Sequence, residues 1–342
     1  MIGRDVLSLI TGDPLSPAIR KFQLGELREA QAMLQEHAGR YGLTTTCEFY
    51  LGLIERRLAN NGPAPAPVLI WRDDTDRAGA AGWVRFLLNG IVTEEIAGEP
   101  DRMQRRMIVV DRALTPEKQA WYRRAHLAGS DVTLLHLGDA HYAEDCGAYR
   151  WCRQVLRCYW SPLMRNAADV HFLPLGPSDA FGHPVGAKPV HARLHLWGFA
   201  GDPDRPTRSD MLAAMRTIGQ GALHLTAERA PLTQGAYRAL LDECAIAPCP
   251  AGAEALDTTR LCEALEAGCI PIVERREGFD YFRQAFGAHP IPTLSDWAEA
   301  PELIRALQAG DRLETKRAQC HAWWRHYKGH LAARIAGLMR AG

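Results

Sequence analysis

Asp257, Thr258, Thr259, Arg260 and Glu263 fall within one short run and offer carboxylates, hydroxyls and a guanidinium to whatever lies beside them. They sit in the stretch Leu240–Val273, LLDECAIAPCPAGAEALDTTRLCEALEAGCIPIV, which reads as strand, loop, helix, strand. Ala245–Ala247 is a short apolar segment that stops at Pro248, and Pro250 and Gly252 hold an irregular loop. Asp257, Thr258 and Thr259 are expected to supply capping oxygens and free amides at a helix start. Leu261, Ala264 and Leu265 keep helical spacing, Gly268 ends the helix, and Cys269–Val273 is the next strand. In a parallel sheet the loop after a strand and the amino end of the next helix share one edge, where backbone donors and the helix dipole favour an anion. Arg260 and Glu263, three apart, share a helix face. This grouping suits a nucleoside diphosphate: the arginine and the helix amides meet phosphate oxygens, and a carboxylate one turn on accepts ribose hydroxyls. The plainer reading is a capped surface helix carrying one ion pair, worth only a few tenths of a kcal/mol.

The run Asp257-Thr258-Thr259-Arg260-Leu261-Cys262-Glu263-Ala264, followed by Ala267-Gly268-Cys269-Ile270-Pro271-Ile272-Val273, resembles the D-[ST]-x-R-x-x-[DE]-A…AGCIPV signature of exostosin-type glycosyltransferases. Glu263, five residues before Gly268, stands where many GT-B enzymes place the carboxylate that binds the donor ribose. An additional carboxylate that many of them carry eight positions earlier is Ala255 here, with Glu254 adjacent. A second part of the chain is similar to the same group, notably its ribitol xylosyltransferase branch and bacterial relatives. His136-Leu137-Gly138-Asp139 is followed by Val155-Leu156-Arg157-Cys158-Tyr159-Trp160 and then Pro174-Leu175-Gly176. That branch shows Asp-Glu where this chain has Asp139-Ala140.

Other residues have the types for chemistry. Asp139 ends an apolar strand, where ligands bind in doubly wound folds; its alternative is a turn carboxylate. Asp74-Thr75-Asp76 follows the apolar run Val68–Trp71, and such a D-x-D is how metal-dependent GT-A enzymes hold a divalent ion, although turns after strands give the same string. No metal is expected here, because a second donor site would be redundant; Asp73 and Asp74 are read as facing the acceptor, with His141 and Arg157. His191 and His195 lack converging ligands and read as ordinary histidines, and the Trp323/Trp324 pair reads as packing. His195–Gly201 is a strand running into a loop with Gly198 and Gly201, glycines that permit a phosphate to approach the backbone, and Arg208 begins the next helix where it neutralises charge.

Several elements must position these groups. Residues 24–38 carry apolar side chains at helical spacing and are expected to pack as a helix on a sheet. Val68–Trp71, Met107–Val110 and Val132–Leu137 read as strands, with a helix from Thr115-Pro116-Glu117 to about Gly129, so parallel pairing and a right-handed crossover follow. Gly176–Pro189, with three glycines and three prolines, is the expected linker.

At 342 residues the chain favours two domains. Forty basic and forty acidic side chains cancel, so bulk charge points to no polyanion such as nucleic acid. Nine scattered cysteines form no disulfide framework or zinc knuckle and suggest a reducing compartment. The amino end is too short an apolar run for a secretory signal, and WVRFLLNGIV is broken by Arg85 and Asn89, which reads as a cytoplasmic chain.

The resulting expectation is an α/β protein of two Rossmann-like domains with a cleft between them: residues 1–183 on the acceptor side, 190–320 binding the nucleotide sugar, and a helix over 321–342 crossing back to the first domain. The resemblance implies an inverting transfer from a nucleotide sugar, and because Arg208, Arg260 and helix amides supply the positive charge, no metal or other cofactor is expected. The donor is expected to be UDP-linked, with UDP-xylose the first candidate. The acceptor is a hydroxyl of a glycan or polyol phosphate in cell-surface polysaccharide synthesis, and a lipid-linked acceptor would bring the chain to a membrane surface. Asp139 is the expected base, with Gly198, Gly201, Arg208, Asp257, Thr258, Thr259, Arg260 and Glu263 on the donor. Two alternatives stay open: a noncatalytic nucleotide-sugar-binding module, and an epimerase or hydrolase of the same architecture.

Overall fold

The computed structural model describes residues 15–59, 66–73, 77, 79–100, 103, 105–182, 186–205, 207–252 and 255–340. Two parallel sheets organise it. The first holds β1 (Val68–Trp71), β2 (Glu94–Ala97), β3 (Arg106–Asp111), β4 (Asp131–His136), β5 (Gln154–Arg157) and β6 (Val170–Phe172) in the order β2-β1-β3-β4-β5-β6. The second holds β7 (His195–Gly201), β8 (Gly221–Leu225), β9 (Cys244–Pro248), β10 (Ile270–Glu274) and β11 (Thr293–Leu294) in the order β11-β10-β9-β7-β8. Every strand pairing is parallel. Parallel strands covered on both faces read as unbroken apolar runs, as β1, β9 and β10 do.

Successive residues of a strand point to opposite faces, and the first sheet divides its side chains accordingly. Val68, Ile70, Met107, Val109, Val132 and Leu134 pack with Trp121 and Tyr122 of α5 (Pro116–Leu127), which Thr115 caps by accepting from the Lys118 amide. Leu69, Trp71, Ile108, Val110, Leu135 and Leu156 face the other way, into a core continuous with that of the second sheet. That face is covered by α4 (Ala81–Leu87) and by the long closing helix α11 (Arg312–Arg340). Trp83 of α4 stacks on Trp324 of α11 at 5.9 Å, and Arg334 donates to the Phe172 carbonyl. The closing helix therefore packs on the first domain as well as the second, and Trp324 is a packing residue. Gly176 shows why the chain after β6 needs glycine: its φ is 75°, and a Cβ there would stand 2.2 Å from the Trp83 ring.

The segment between the sheets is tied down. Gly82 donates to Asp179 at 2.7 Å, Phe181 is buried, and only short 3-10 turns interrupt the irregular backbone; residues 183–185 lie outside the described residues.

One expectation is corrected. Leu27–Tyr41 is a helix, α2, but it packs on helices and not on a sheet. With α1 (Ser16–Gln23) and α3 (Thr45–Ala59) it encloses a separate core of Phe22, Ala30, Leu34, Cys47, Leu53 and Ile54. Phe22 touches His126 of α5 edge to face at 5.7 Å. Amphipathic spacing fixes which face is buried, not what covers it.

Candidate functional site

The second sheet reverses its strand order between β7 and β9, so neighbouring connections leave in opposite directions and open a crevice at the carboxyl ends. At the end of β7, a Cβ added to Gly201 would stand 3.1 Å from Arg260 Nη2 and 3.5 Å from Arg208 Nη1. Two guanidiniums thus converge on this backbone, one from α6 (Arg208–Arg216) and one from α8 (Thr259–Glu266). Arg208 donates to the Asp202 carbonyl at 2.8 Å, and Arg260 donates to the Tyr237 hydroxyl at 3.0 Å with its guanidinium 4.5 Å from the Phe199 ring centroid. Burial, and then repulsion from Arg260, lower the Arg208 pKa. An anion between the two would relieve that repulsion. Gly198 is not at this edge: it lies inside β7, where a Cβ would meet Cys244 Sγ at 2.3 Å, so its smallness serves packing.

The start of α8 differs from the expectation. Thr258 stands at the cap position in extended conformation without a side-chain capping bond, and Thr259 is the first helical residue. Asp257, one residue before the cap, accepts from the Thr258 amide and, at 3.4 Å, from the Tyr281 hydroxyl. Asp257 is buried, its Oδ1 has no hydrogen-bond partner, and the groups facing it include the hydroxyls of Tyr142, Tyr281 and Tyr159 and the Cys158 thiol. Burial pushes its carboxyl from 3.8 to about 7, against the Tyr281 and Thr258 bonds, which lower it. Between those values the folded chain holds a proton that the unfolded chain has released, so stability falls as pH rises from 3.8 to about 7 and is flat above. Asp257→Asn, which never ionises, is expected to gain stability relative to the wild-type chain from pH 5 to pH 8. Urea midpoints at the two pH values check this, and parallel curves would mean that Asp257 is already ionised at pH 5.

Glu263, one turn along α8, accepts from Ser178 Oγ at 2.7 Å; burial raises its pKa, and the Ser178 bond and Arg260 draw it back. The sequence reading passed over Glu274. This carboxylate ends β10, accepts from Thr207 Oγ1 at 2.8 Å and from the Ala251 amide at 2.7 Å, and so ties the loops after β7 and β9 together. Its signal was a charged residue closing the apolar run IPIV, the logic applied to Asp139 but not here.

On the first sheet, Asp139 follows β4 with φ 67°. Its Oδ1 accepts from the Ala143 and Glu144 amides at 2.7 and 3.1 Å, and its Oδ2 accepts from Arg157 Nη2 at 3.0 Å. Arg157, the last residue of β5, also lies over the Tyr142 ring at 5.6 Å, while His141 is exposed on the same turn. His136 below them is buried, with Nδ1 2.7 Å from the Tyr149 hydroxyl and Nε2 3.2 Å from Glu144. Asp139, His141 and Arg157 are thus brought together. Asp73 is not with them: it follows β1 and pairs with Lys118 at 2.5 Å, a lysine that also lies 2.7 Å from Asp111. Asp74, Thr75 and Asp76 lie outside the described residues. Among the described residues no group of three or more His, Cys, Asp or Glu side chains is placed to hold a metal ion, and no helix is long and apolar enough to cross a membrane.

The two edges meet at Trp160, just past β5, whose amide donates to the Tyr281 hydroxyl of the second domain at 2.8 Å. No family model matches the sequence, and no curated protein matches it. Solved structures do match in shape. Anabaena HepE in complex with UDP and glucose aligns over 81% of this chain and 100% of its own, at 9% identity and a TM-score of 0.52. The same protein in complex with UDP alone gives 11% identity and 0.50 over the same shares. A mutant of the Thermobaculum terrenum O-GlcNAc transferase aligns over 94% of this chain and 82% of its own, at 10% identity and 0.48. Two parallel-sheet domains whose carboxyl edges meet across a cleft, with a closing helix returning to the first, make this a GT-B fold.

Proposed function

We propose that the chain is a glycosyltransferase that moves a sugar from a nucleotide donor to a hydroxyl acceptor, with the donor on the second sheet and the acceptor on the first. The convergence of Arg208 and Arg260 on Gly201, at the strand reversal and beside α8, carries this reading. Phosphate oxygens would take up the two guanidiniums and the amides at the start of α8, and Glu263 would accept from the ribose. HepE, which shares the fold, is described with UDP and glucose, which supports UDP as the nucleotide. The exostosin-like resemblance makes UDP-xylose the first donor to try and UDP-hexoses the next, with a glycan or polyol phosphate of cell-surface polysaccharide as acceptor.

The step proposed is an inverting displacement. The acceptor hydroxyl attacks the anomeric carbon, its proton passes to a base, the bond to the diphosphate breaks, and Arg208, Arg260 and helix amides stabilise the charge left on the leaving group. Asp139 is the proposed base; a hydroxyl reaches it by taking over the bond that Arg157 now makes.

Arg260→Ala is expected to weaken UDP binding by about 1.5–3 kcal/mol, the range for a hydrogen bond to a charged group. Calorimetric titration checks this, and an unchanged Kd would remove the donor site from this edge. Because side-chain cations are proposed to serve the leaving group, transfer is expected to persist in excess EDTA; loss of activity restored by manganese would overturn that part. A noncatalytic module would bind donor without turnover, and a hydrolase would consume donor without acceptor.

A further inference from the structure

We propose that Tyr142 and Phe279, both held by the buried Trp160, form a saccharide platform where the two sheet edges meet, and that it takes the flat C–H face of an acceptor sugar ring. The word acceptor rests on the glycosyltransferase reading; the platform itself does not.

Of the six described non-glycine residues with positive φ, Asp139, Tyr142 and Tyr159 lie on the first carboxyl edge, and Thr207 and Glu277 lie on the second. Only Gln220 is elsewhere. Left-handed backbone is costly for a bulky aromatic and persists where its surroundings enforce it. Here that backbone flanks Trp160. The Tyr142 hydroxyl donates to the Trp160 carbonyl at 2.7 Å, and the Trp160 amide is held by Tyr281. Phe279, from the hairpin closed by Arg276, stacks on the Trp160 ring at 6.0 Å. One aromatic from each domain is thus fixed against the same tryptophan.

Trp160 itself is buried, but the two rings held against it are open to solvent, Tyr142 at 47% and Phe279 at 41%. Two exposed aromatic side chains are far short of the roughly 800 Å² per partner of a stable protein interface. A sugar ring fits that scale: it is apolar on one face and ringed by hydroxyls. A donor stands at the rim, since the exposed Arg165 lies over Trp160 at 5.3 Å, while Arg157, over Tyr142 at 5.6 Å, is buried and holds Asp139. Tyr281 then joins the platform directly to Asp257, the first residue of the donor run.

Saturation-transfer NMR on the full chain, with and without UDP, tests this using methyl β-D-xylopyranoside and methyl β-D-glucopyranoside. Saturation is expected on ring protons. Tyr142→Ala and Phe279→Ala are each expected to weaken binding about five- to tenfold, the scale of an aromatic contact. Phe279→Tyr and Tyr142→Phe, which keep the rings, should retain binding, and UDP affinity should be unchanged in all four. Both sites are exposed, and an unchanged Tm confirms the fold. No saturation transfer to the wild-type chain, or equal transfer to the alanine variants, overturns the platform. So does Phe279-dependent sedimentation with anionic vesicles in place of sugar binding. If UDP fails to bind while the alanine variants lose sugar binding, the donor reading falls and the platform stands.

Discussion

Lys328→Met is expected to lower folding stability by about 3–5 kcal/mol, the usual effect of stranding one member of a buried ion pair. Lys328 on α11 pairs with Glu266 on α8, and both side chains are almost fully buried. Trp324 Nε1 donates to the same carboxylate oxygen at 2.9 Å, and the ammonium lies 5.2 Å from the Phe86 ring centroid of the first domain. Methionine fills the volume but leaves Glu266 charged in an apolar seam. The double variant Glu266→Leu/Lys328→Met removes both charges and is expected to recover much of the loss, since the desolvation of each ion offsets much of their attraction. Urea denaturation of the three chains measures this. A single variant within about 1 kcal/mol of wild type would mean that the pair is as well solvated as a surface bridge.

Asp139→Asn is expected to lower turnover by about a hundred- to ten-thousandfold, the contribution of a general base. The substitution keeps shape and hydrogen-bonding capacity toward the Ala143 and Glu144 amides, while the charge facing Arg157 is lost. UDP affinity should be unchanged, because Arg208, Arg260 and Glu263 lie on α6 and α8, in the domain of the other sheet. The structure makes the control essential: a carboxylate that holds Arg157 and a left-handed turn has a structural duty as well. If the folded variant turns over at the wild-type rate and only Tm falls, Asp139 is a turn residue and the proton goes elsewhere.

The sequence showed the second sheet more fully than the first, for physical reasons. β9 and β10 are buried on both faces, so CAIAP and IPIV stand out as apolar runs between glycine and proline. β2 is an edge strand of sequence EEIA with mostly exposed side chains, and no periodicity marks it. Arg208 and Arg260 could be placed on one edge from strand–loop–helix order alone, but not their convergence on Gly201, which depends on β7 and β9 being neighbours although β8 lies between them in sequence. Gly198 was misplaced because a packing glycine and a ligand-approach glycine look alike until the facing Cys244 is known. Tyr142, Trp160 and Phe279 are scattered along the chain, and only the meeting of two domains joins them.

The buried thiols give each unit of this chain its own clock. Cys47 lies in the helical core, Cys152 under α5, and Cys158, Cys249 and Cys262 in the continuous core that both sheets share. Burial raises the pKa of all five, so each reacts with an alkylating reagent only when its surroundings open. Timed alkylation read by mass spectrometry therefore separates three events that a single melting curve merges. The shared core should expose Cys158 and Cys262 together, whereas Cys47 follows the fluctuations of its own three helices.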